Sequence, residues 1–372
     1  MEWTKSINIL RCRVHYIDFQ LDLSVRQRKI EGICSRLNSS KQVKNMQAIR
    51  ARKTVVIRLV SFITTCLICM HGVAQSNQTV TAEMVESWMS ELSNWGRWGA
   101  DDQLGALNLI TPEKRIEAVK LVQAGISVSL SHDYILESAG RQNPPFDHVM
   151  SGVNGQGAFV MDRISFSYHG ILHSHLDSLC HMSHNGQMYN GFSKQEVNQE
   201  GCQKLAITDV KEGIMTRGIL IDIPRLKGVD YLDPGTPIYV EDLEAWERQV
   251  GIRVQAGDVL FIRTGRWATP AGAGQGSAGL HASVAPWLKQ RDIAMLGGDY
   301  ANDVTPSGVD GIAVPIHQLT LVAMGVRLFD NMDLEALAEE AARQQRWEFL
   351  LTAAPLAIEG GTGSPMNPIA TF

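Results

Sequence analysis

Two kinds of apolar spacing occur along the chain from about residue 80 onwards. Apolar residues three or four positions apart, which is typical of amphipathic helices, mark the segments 81–95, 111–125, 240–251 and 333–347. The second of these begins with Thr111 as a cap and Pro112 at the first helical position, and it closes at Gly125. Runs rich in β-branched residues predict strands at 126–132, 162–170, 217–224, 257–265 and 348–358. The mixture predicts one α/β or α+β domain, with helices packed outside a sheet core.

The first 74 residues differ from the rest of the chain in charge and in pattern. They contain 13 Lys and Arg against 4 Asp and Glu, whereas the remainder contains 21 against 35. An apolar run at 59–70 follows basic residues and leads to small residues that end at Ala74, which is typical of a secretory signal peptide. The run is short for a membrane span, and the alternative is a buried helix.

We therefore predict three regions: a non-native N-terminal extension at 1–45, a signal peptide at 46–74 that starts at Met46, and the mature domain at 75–372. The mature protein would be periplasmic or secreted and would not contact a membrane. Its acidic balance argues against nucleic acid as a partner, because phosphate repels a negative surface. Cys180 and Cys202 are its two cysteines, and they either pair or remain buried thiols.

The stretch HSHLDSLCH is the strongest chemical signal in the sequence. On a strand, alternate side chains share a face, so His173, His175 and Asp177 would project from one side. Imidazole and carboxylate suit zinc, manganese or ferrous iron, and three such ligands leave room for water. His169 has the same parity and could be a fourth ligand or support the others. The alternative is a polar strand without a metal, but burying so many unpartnered polar groups costs several kcal/mol.

Two neighbouring features suggest supporting chemistry. His181 lies past the predicted strand, where a turn could bring it over the metal without binding it. From there it could take a proton from water and pass it to a leaving group. The segment GDYAND groups Asp299, Asn302 and Asp303 near a strand end, which favours turn formation or support of the ligands over direct ligation.

These residues and their surroundings resemble the cyclase family of metal-dependent hydrolases, which includes bacterial kynurenine formamidase and isatin hydrolase. The family hallmark is His-x-Gly-Thr-His-x-Asp-x-x-x-His. Ser174 stands in the place of the Thr, and the resemblance implies His175 and Asp177 as metal ligands and His181 as the catalytic histidine.

The chain departs from the hallmark at its beginning. The first histidine of the motif falls on Ile171 and its glycine on His173. The missing ligand must then be His173 or His169, and the closeness of His173 to His175, together with the strand parity, favours His173.

A distal segment of the family supplies a histidine followed by an acidic residue, usually Glu. Here the resemblance implies His317 and Asp330, whose side chain is one methylene shorter than Glu. If both bind, Asp177 could bridge two metal ions; if not, the site holds one. The alternatives are that His317 begins a helix and that Asp330 caps one.

The resemblance extends through nearly the whole mature chain. It implies a swivelling β/β/α domain with a mixed sheet core and outer helices, assembled as a dimer or tetramer. In the family, aromatic and histidine-bearing loops help to close a pocket over a flat substrate. The corresponding candidates are Trp95, Trp98, Phe146, His148 and His281. The two tryptophans could equally be core residues, and His281 could be a surface residue.

Together these features predict a metal-dependent hydrolase that uses one or two zinc or manganese ions. It would cleave a C–N amide bond, linear or cyclic, in a small aromatic substrate, as an arylformamidase does. One alternative is a metal-dependent lactone hydrolase or a lyase. Another is a binding protein that captures a small molecule without turnover.

Overall fold

The structure is a computed structural model that describes residues 79–134, 146–153, 155, 157–270 and 273–372. The predicted N-terminal extension and signal peptide lie outside these residues and stay predictions. Within the described part of the chain, no helix combines the length and the apolar character needed to cross a membrane.

The described elements mix short strands with helices. The α-helices are α1 (Ala82–Glu91), α2 (Pro112–Val119), α3 (Ile223–Lys227), α4 (Val240–Val250), α5 (Ala285–Arg291), α6 (Pro315–His317) and α7 (Glu335–Gln344). A π-helical segment, Gln318–Met324, continues α6. The strands up to residue 222 are β1 (Ser127–Ser129), β2 (Asp147–Ser151), β3 (Met161–Ser165), β4 (His175–Asp177), β5 (Val197–Asn198), β6 (Gly201–Cys202) and β7 (Ile214–Asp222). The later strands are β8 (Pro237–Ile238), β9 (Val259–Arg263), β10 (Gly279–Leu280), β11 (Met295–Gly298), β12 (Arg327–Asp330), β13 (Glu348–Ala353), β14 (Gly363–Pro365) and β15 (Ile369–Thr371).

One nine-stranded mixed sheet organises the domain, in the order β1-β15-β13-β7-β9-β11-β12-β4-β14. The four central strands β7, β9, β11 and β12 run parallel. The strands on both flanks are antiparallel to their neighbours. The predicted α/β architecture, with a mixed sheet core and outer helices, is confirmed.

The two faces of the sheet carry separate hydrophobic cores, as the alternation of strand side chains requires. Leu220 and Phe261 point into the core that contains α7. Ile221 and Leu260 point into the opposite core, which contains α4. Both faces of the central strands are therefore covered, which explains why β9 is buried along its whole length.

The structure corrects several sequence predictions. Thr111 caps α2 by accepting a 3.2 Å hydrogen bond from the Lys114 backbone nitrogen, but the helix ends at Val119 rather than at Gly125. The predicted strand through His173 is also wrong, because β4 begins only at His175. The two cysteines that follow residue 74, Cys180 and Cys202, form a disulfide. Pairing is thus the correct one of the two cysteine interpretations.

Candidate metal centre

The candidate site lies at the edge of the sheet where the central parallel strands end. Asp330 is the last residue of β12, and the antiparallel neighbour β4 begins opposite it, with His175 paired to Asp330 in the register. On the other side of β4, Asp177 is paired to Gly363 of β14. Carboxyl ends of parallel strands are common places for ligands, since the loops that follow them converge there.

A first group of donors comprises His169, His175 and Asp177, whose ligand atoms lie within 4.8 Å of one another. Nδ1 of His175 donates to the carbonyl oxygen of His173 at 2.9 Å, which leaves Nε2 directed at Asp177 Oδ1, 3.5 Å away. Nε2 of His169 lies 2.9 Å from the hydroxyl of Thr362, and its Nδ1 lies 3.1 Å from the same Asp177 oxygen. In each imidazole, one ring nitrogen is therefore held by a neighbouring oxygen, and the other faces Asp177 Oδ1.

A second group shares Asp177 and adds His317 and Asp330. His317 Nε2 lies 3.3 Å from Asp330 Oδ2, and Asn302 Nδ2 donates to Asp330 Oδ1 at 2.7 Å. On its other side, His317 Nδ1 donates to Asp303 Oδ2 at 2.6 Å. Asp303 thus lies behind a histidine rather than in the centre, and support of a ligand is one of the two positions that sequence analysis favoured over direct ligation.

The electrostatics of this centre suit a bound cation. Asp177, Asp303 and Asp330 are all buried, with exposed fractions of 1%, 1% and 4%. Burial raises the pKa of Asp177, but the hydrogen bond from His169 and the charges of nearby histidines lower it below its usual value. Burial likewise lowers the pKa of His317, yet Asp330 and Asp303 raise it well above its usual value. Two buried carboxylates, Asp177 and Asp330, beside three imidazoles are a donor set that suits divalent zinc or manganese, so these residues fit a divalent metal ion.

His181 stands beside the centre without belonging to either group. It ends a 3-10 turn, Leu179–His181, and its Nε2 lies 3.9 Å from Asp177 Oδ2. Its ring stacks on that of His169, with centroids 4.2 Å apart. Burial lowers the pKa of His181 below its usual value, more than the charge of Asp177 raises it. The imidazole is therefore neutral near pH 7 and can accept a proton.

The structure places His169, not His173, beside His175 and Asp177. His173 precedes the strand, so the parity that favoured it does not apply. Its buried ring contacts the rings of Tyr134 and Phe166, with centroids 5.3 and 5.2 Å away. His173 acts on the centre through its backbone, since its carbonyl oxygen orients His175.

Known proteins with a similar sequence and structure identify the family of this chain. The family model for the cyclases matches residues 121–302. A solved structure described as a novel cyclase is 32% identical, with 75% of this chain and 99% of that chain covered and a TM-score of 0.68. The chain belongs to the cyclase family.

Two further solved structures with weaker similarity to this cyclase-family chain are isatin hydrolases. Isatin hydrolase A from Ralstonia solanacearum is 20% identical, with 66% of this chain and 91% of that chain covered and a TM-score of 0.48. Isatin hydrolase A from Labrenzia aggregata, bound to benzyl benzoate, is 21% identical, with 68% and 94% covered and a TM-score of 0.47. No curated protein matches the sequence.

Of the predicted substrate residues, Phe146 packs beside His173, the residue whose backbone orients His175 in this cyclase-family protein. Its ring lies 6.4 Å from that of His173 and stacks on Tyr134 at 5.1 Å. The other four are Trp95, Trp98, His148 and His281. Their hydrogen bonds and ring contacts within the described residues are made outside both donor groups, to partners such as Val322 for Trp95 and Asp162 for His148.

Sequence analysis missed several residues that hold the centre together. The hydroxyl of Thr362 positions His169, and the Asn331 side chain donates to the carbonyl oxygens of Gly170 and His173 at 2.7 and 3.2 Å. Asn331 directly follows Asp330, so it ties the end of β12 to the loop that carries His169. Nothing local in the sequence marks Thr362, because its partner lies almost two hundred positions earlier.

The Asp303→Asn substitution tests the second donor group of this cyclase-family protein. Both oxygens of Asp303 accept hydrogen bonds, Oδ1 from the Ile316 backbone nitrogen and Oδ2 from the His317 backbone nitrogen and Nδ1. Asparagine has one accepting oxygen, so its NH2 group must face one of these donors, and the support of His317 is weakened. We expect the affinity for Zn²⁺ or Mn²⁺ at the second group to fall by about 10- to 100-fold, measured by calorimetric titration of the metal-depleted protein. Binding at the group of His169, His175 and Asp177 should not change. Unchanged affinity at both groups would show that Asp303 does not support a ligand.

Proposed function

We propose that the protein is a metal-dependent hydrolase that cleaves a C–N amide bond, linear or cyclic, in a small aromatic substrate. The observation that carries the proposal is the arrangement at the end of β12. Two donor groups share Asp177, and a further histidine, His181, stands beside that carboxylate without belonging to either group. A purely binding site has no need of an additional neutral imidazole at this place.

The roles of the residues follow from their positions. His169, His175 and Asp177 would hold one ion, and Asp177, His317 and Asp330 would hold a second. When bound, a divalent ion lowers the pKa of a coordinated water towards neutrality and polarises a carbonyl group.

In this proposal, His181 removes the proton of the attacking water and returns it to the departing nitrogen. Asp177 lies within 3.9 Å of the His181 ring, so its negative charge stabilises the imidazolium that forms between the two transfers. An amide nitrogen leaves poorly as an anion and needs such a proton. This requirement favours an amide over a lactone, whose oxygen leaves more easily.

The aromatic character of the substrate is supported by the side chains next to the centre. Tyr134, Phe146 and Phe166 form a cluster around His173, with ring centroids 5.0 to 5.1 Å apart. Stacked and tilted rings at this spacing present flat apolar surface that suits a planar ligand.

Chelation and reconstitution test the metal-dependent chemistry directly. We expect chelator-treated protein to lose hydrolysis of N-formylkynurenine or isatin and to regain it with Zn²⁺ or Mn²⁺, followed by ultraviolet absorbance and elemental analysis. Simple lactones serve as the comparison substrates. Full activity without metal contradicts the proposal, and retention of these compounds without any spectral change favours the binding protein instead.

Export from the cytoplasm and assembly into a homo-oligomer stay proposals. The assembly is supported by the hairpin of β2 and β3, in which both strands are exposed along their whole length. Phe159, in the connection between these strands, is 81% exposed. Such a hairpin is marginally stable by itself, and it offers an apolar surface to a second copy of the chain.

A further inference from the structure

Few contacts of its own side chain fix the position of His181. The ring stacks on His169, with planes 9° apart, and Nε2 lies 3.9 Å from Asp177 Oδ2, too far for a hydrogen bond. Within the described residues, neither ring nitrogen of His181 makes a hydrogen bond, and 35% of the side chain is exposed. The orientation of this imidazole therefore depends on the backbone turn that carries it.

That turn is attached to two neighbouring segments. The Ser178 backbone nitrogen donates to the Thr362 carbonyl oxygen at 2.9 Å, and the remaining ties lead to the segment from Cys202 to Leu205. Cys180, immediately before His181, forms the disulfide with Cys202. The Cys180 backbone nitrogen also donates to the Leu205 carbonyl oxygen, at 3.3 Å, which is long for such a bond. The Ser178 hydroxyl donates to the same oxygen. The covalent bond is thus the strongest tie between the turn and the segment from Cys202 to Leu205.

The segment that receives the disulfide is itself firmly held. The Cys202 backbone nitrogen donates to the Gly360 carbonyl oxygen at 2.9 Å, and Gln203 donates to Glu196 at 2.8 Å. Gly201 approaches Gly360 so closely that an added Cβ would lie 2.6 Å from its carbonyl oxygen. Cys202 is therefore a fixed point to which Cys180 is anchored.

We propose that Cys180 and Cys202 are positioning residues, whose disulfide holds His181 in place for proton transfer. The proposal rests on the function proposed above. The metal-binding groups do not depend on this tie, because His175 and Asp177 lie in β4, which is paired on both sides. Both cysteines are about 95% buried, with exposed fractions of 5% and 4%. The bond is thus shielded from dissolved reductants.

Removing the disulfide should lower turnover without changing metal binding. For Cys180→Ala combined with Cys202→Ala in the full chain, we expect kcat on formanilide to fall by about 10-fold while KM changes by less than about 2-fold. The zinc or manganese content per chain should stay at the wild-type value. In a His181→Ala background, the same double substitution should lower kcat no further, since both changes then remove one and the same contribution.

A stability-matched control separates positioning from general destabilisation. Leu337 is fully buried in α7, in the core on the opposite face of the sheet from Cys180. Leu337→Ala should lower the Tm, as loss of the disulfide does, but should retain wild-type kcat. If Leu337→Ala lowers kcat as strongly as removal of the disulfide, the positioning role is wrong.

Chemical labelling of histidines tests the positioning without relying on activity. We expect diethylpyrocarbonate to modify His181 several-fold faster in the double variant than in wild type, measured by peptide mass spectrometry, while His148 on β2 reacts at an unchanged rate. Should the double variant fail to fold, the single substitution Cys202→Ser provides the comparison. It removes the disulfide and leaves Cys180, the residue before His181, unchanged.

The two proposals fail in different ways. If wild-type protein cleaves no amide but His181 labelling rises when the disulfide is removed, the proposed function falls and the positioning stands. If wild type cleaves formanilide but both kcat and His181 labelling are unchanged in the variant, the positioning falls and the proposed function stands.

Discussion

Replacing His181 with alanine is expected to lower kcat for amide hydrolysis by about 100-fold or more. The variant loses the neutral imidazole that accepts the proton of the attacking water and delivers it to the leaving nitrogen. His181 belongs to neither donor group, so the metal content should stay at the wild-type value. Steady-state kinetics together with elemental analysis of the same samples measures both effects.

His181→Gln is the matched variant for this experiment. Glutamine keeps a polar side chain over His169 but cannot take up a proton near neutral pH. It should therefore lose as much turnover as alanine does. A variant of His181 that keeps wild-type kcat, or one that loses its metal, would show that its role has been wrongly assigned.

The Asp177→Asn substitution should abolish binding at both donor groups. Asp177 is common to the two groups and is 1% exposed. Asparagine carries no negative charge, so both donor groups lose the carboxylate that they share. We expect the metal content to fall towards zero and kcat/KM to fall by about 1000-fold, as the loss of several kcal/mol of transition-state stabilisation implies.

Two comparison variants make this result specific. His317→Ala should remove binding at the second group alone and leave the group of His169, His175 and Asp177 intact. Asp209→Asn changes a half-buried aspartate outside both groups and should retain metal and activity. Wild-type metal stoichiometry in Asp177→Asn would contradict the shared role of this residue.

The local parts of the structure were largely predictable from the amino-acid sequence. The cap at Thr111 and the end of α4 at Gly251 follow from residues close in the chain. His175 and Asp177 are two positions apart on a real strand, so their common face was predicted correctly. These features depend on backbone geometry over a few residues, which a local pattern describes well.

The choice between His169 and His173 was not predictable in the same way. Both have the parity of His175, but the strand starts only at His175, and a turn sends the two side chains in different directions. Thr362 then holds His169 towards Asp177, while Tyr134 and Phe166 enclose His173. Contacts with other parts of the chain therefore decided which histidine faces Asp177. Strand parity does not predict such contacts.

By itself, the sequence determined which donor chemistry this protein has: imidazoles and carboxylates spaced for a strand edge, with a further histidine just beyond. Only the tertiary structure decided that Asp177 faces both His169 and His317, and that Cys180 is tied to Cys202 beside His181. The physical reason is that β4 meets β12 and β14 across more than 150 positions of chain. Burial of both sheet faces selects the pairing of β4 with these two strands, and a short-range sequence pattern does not predict it.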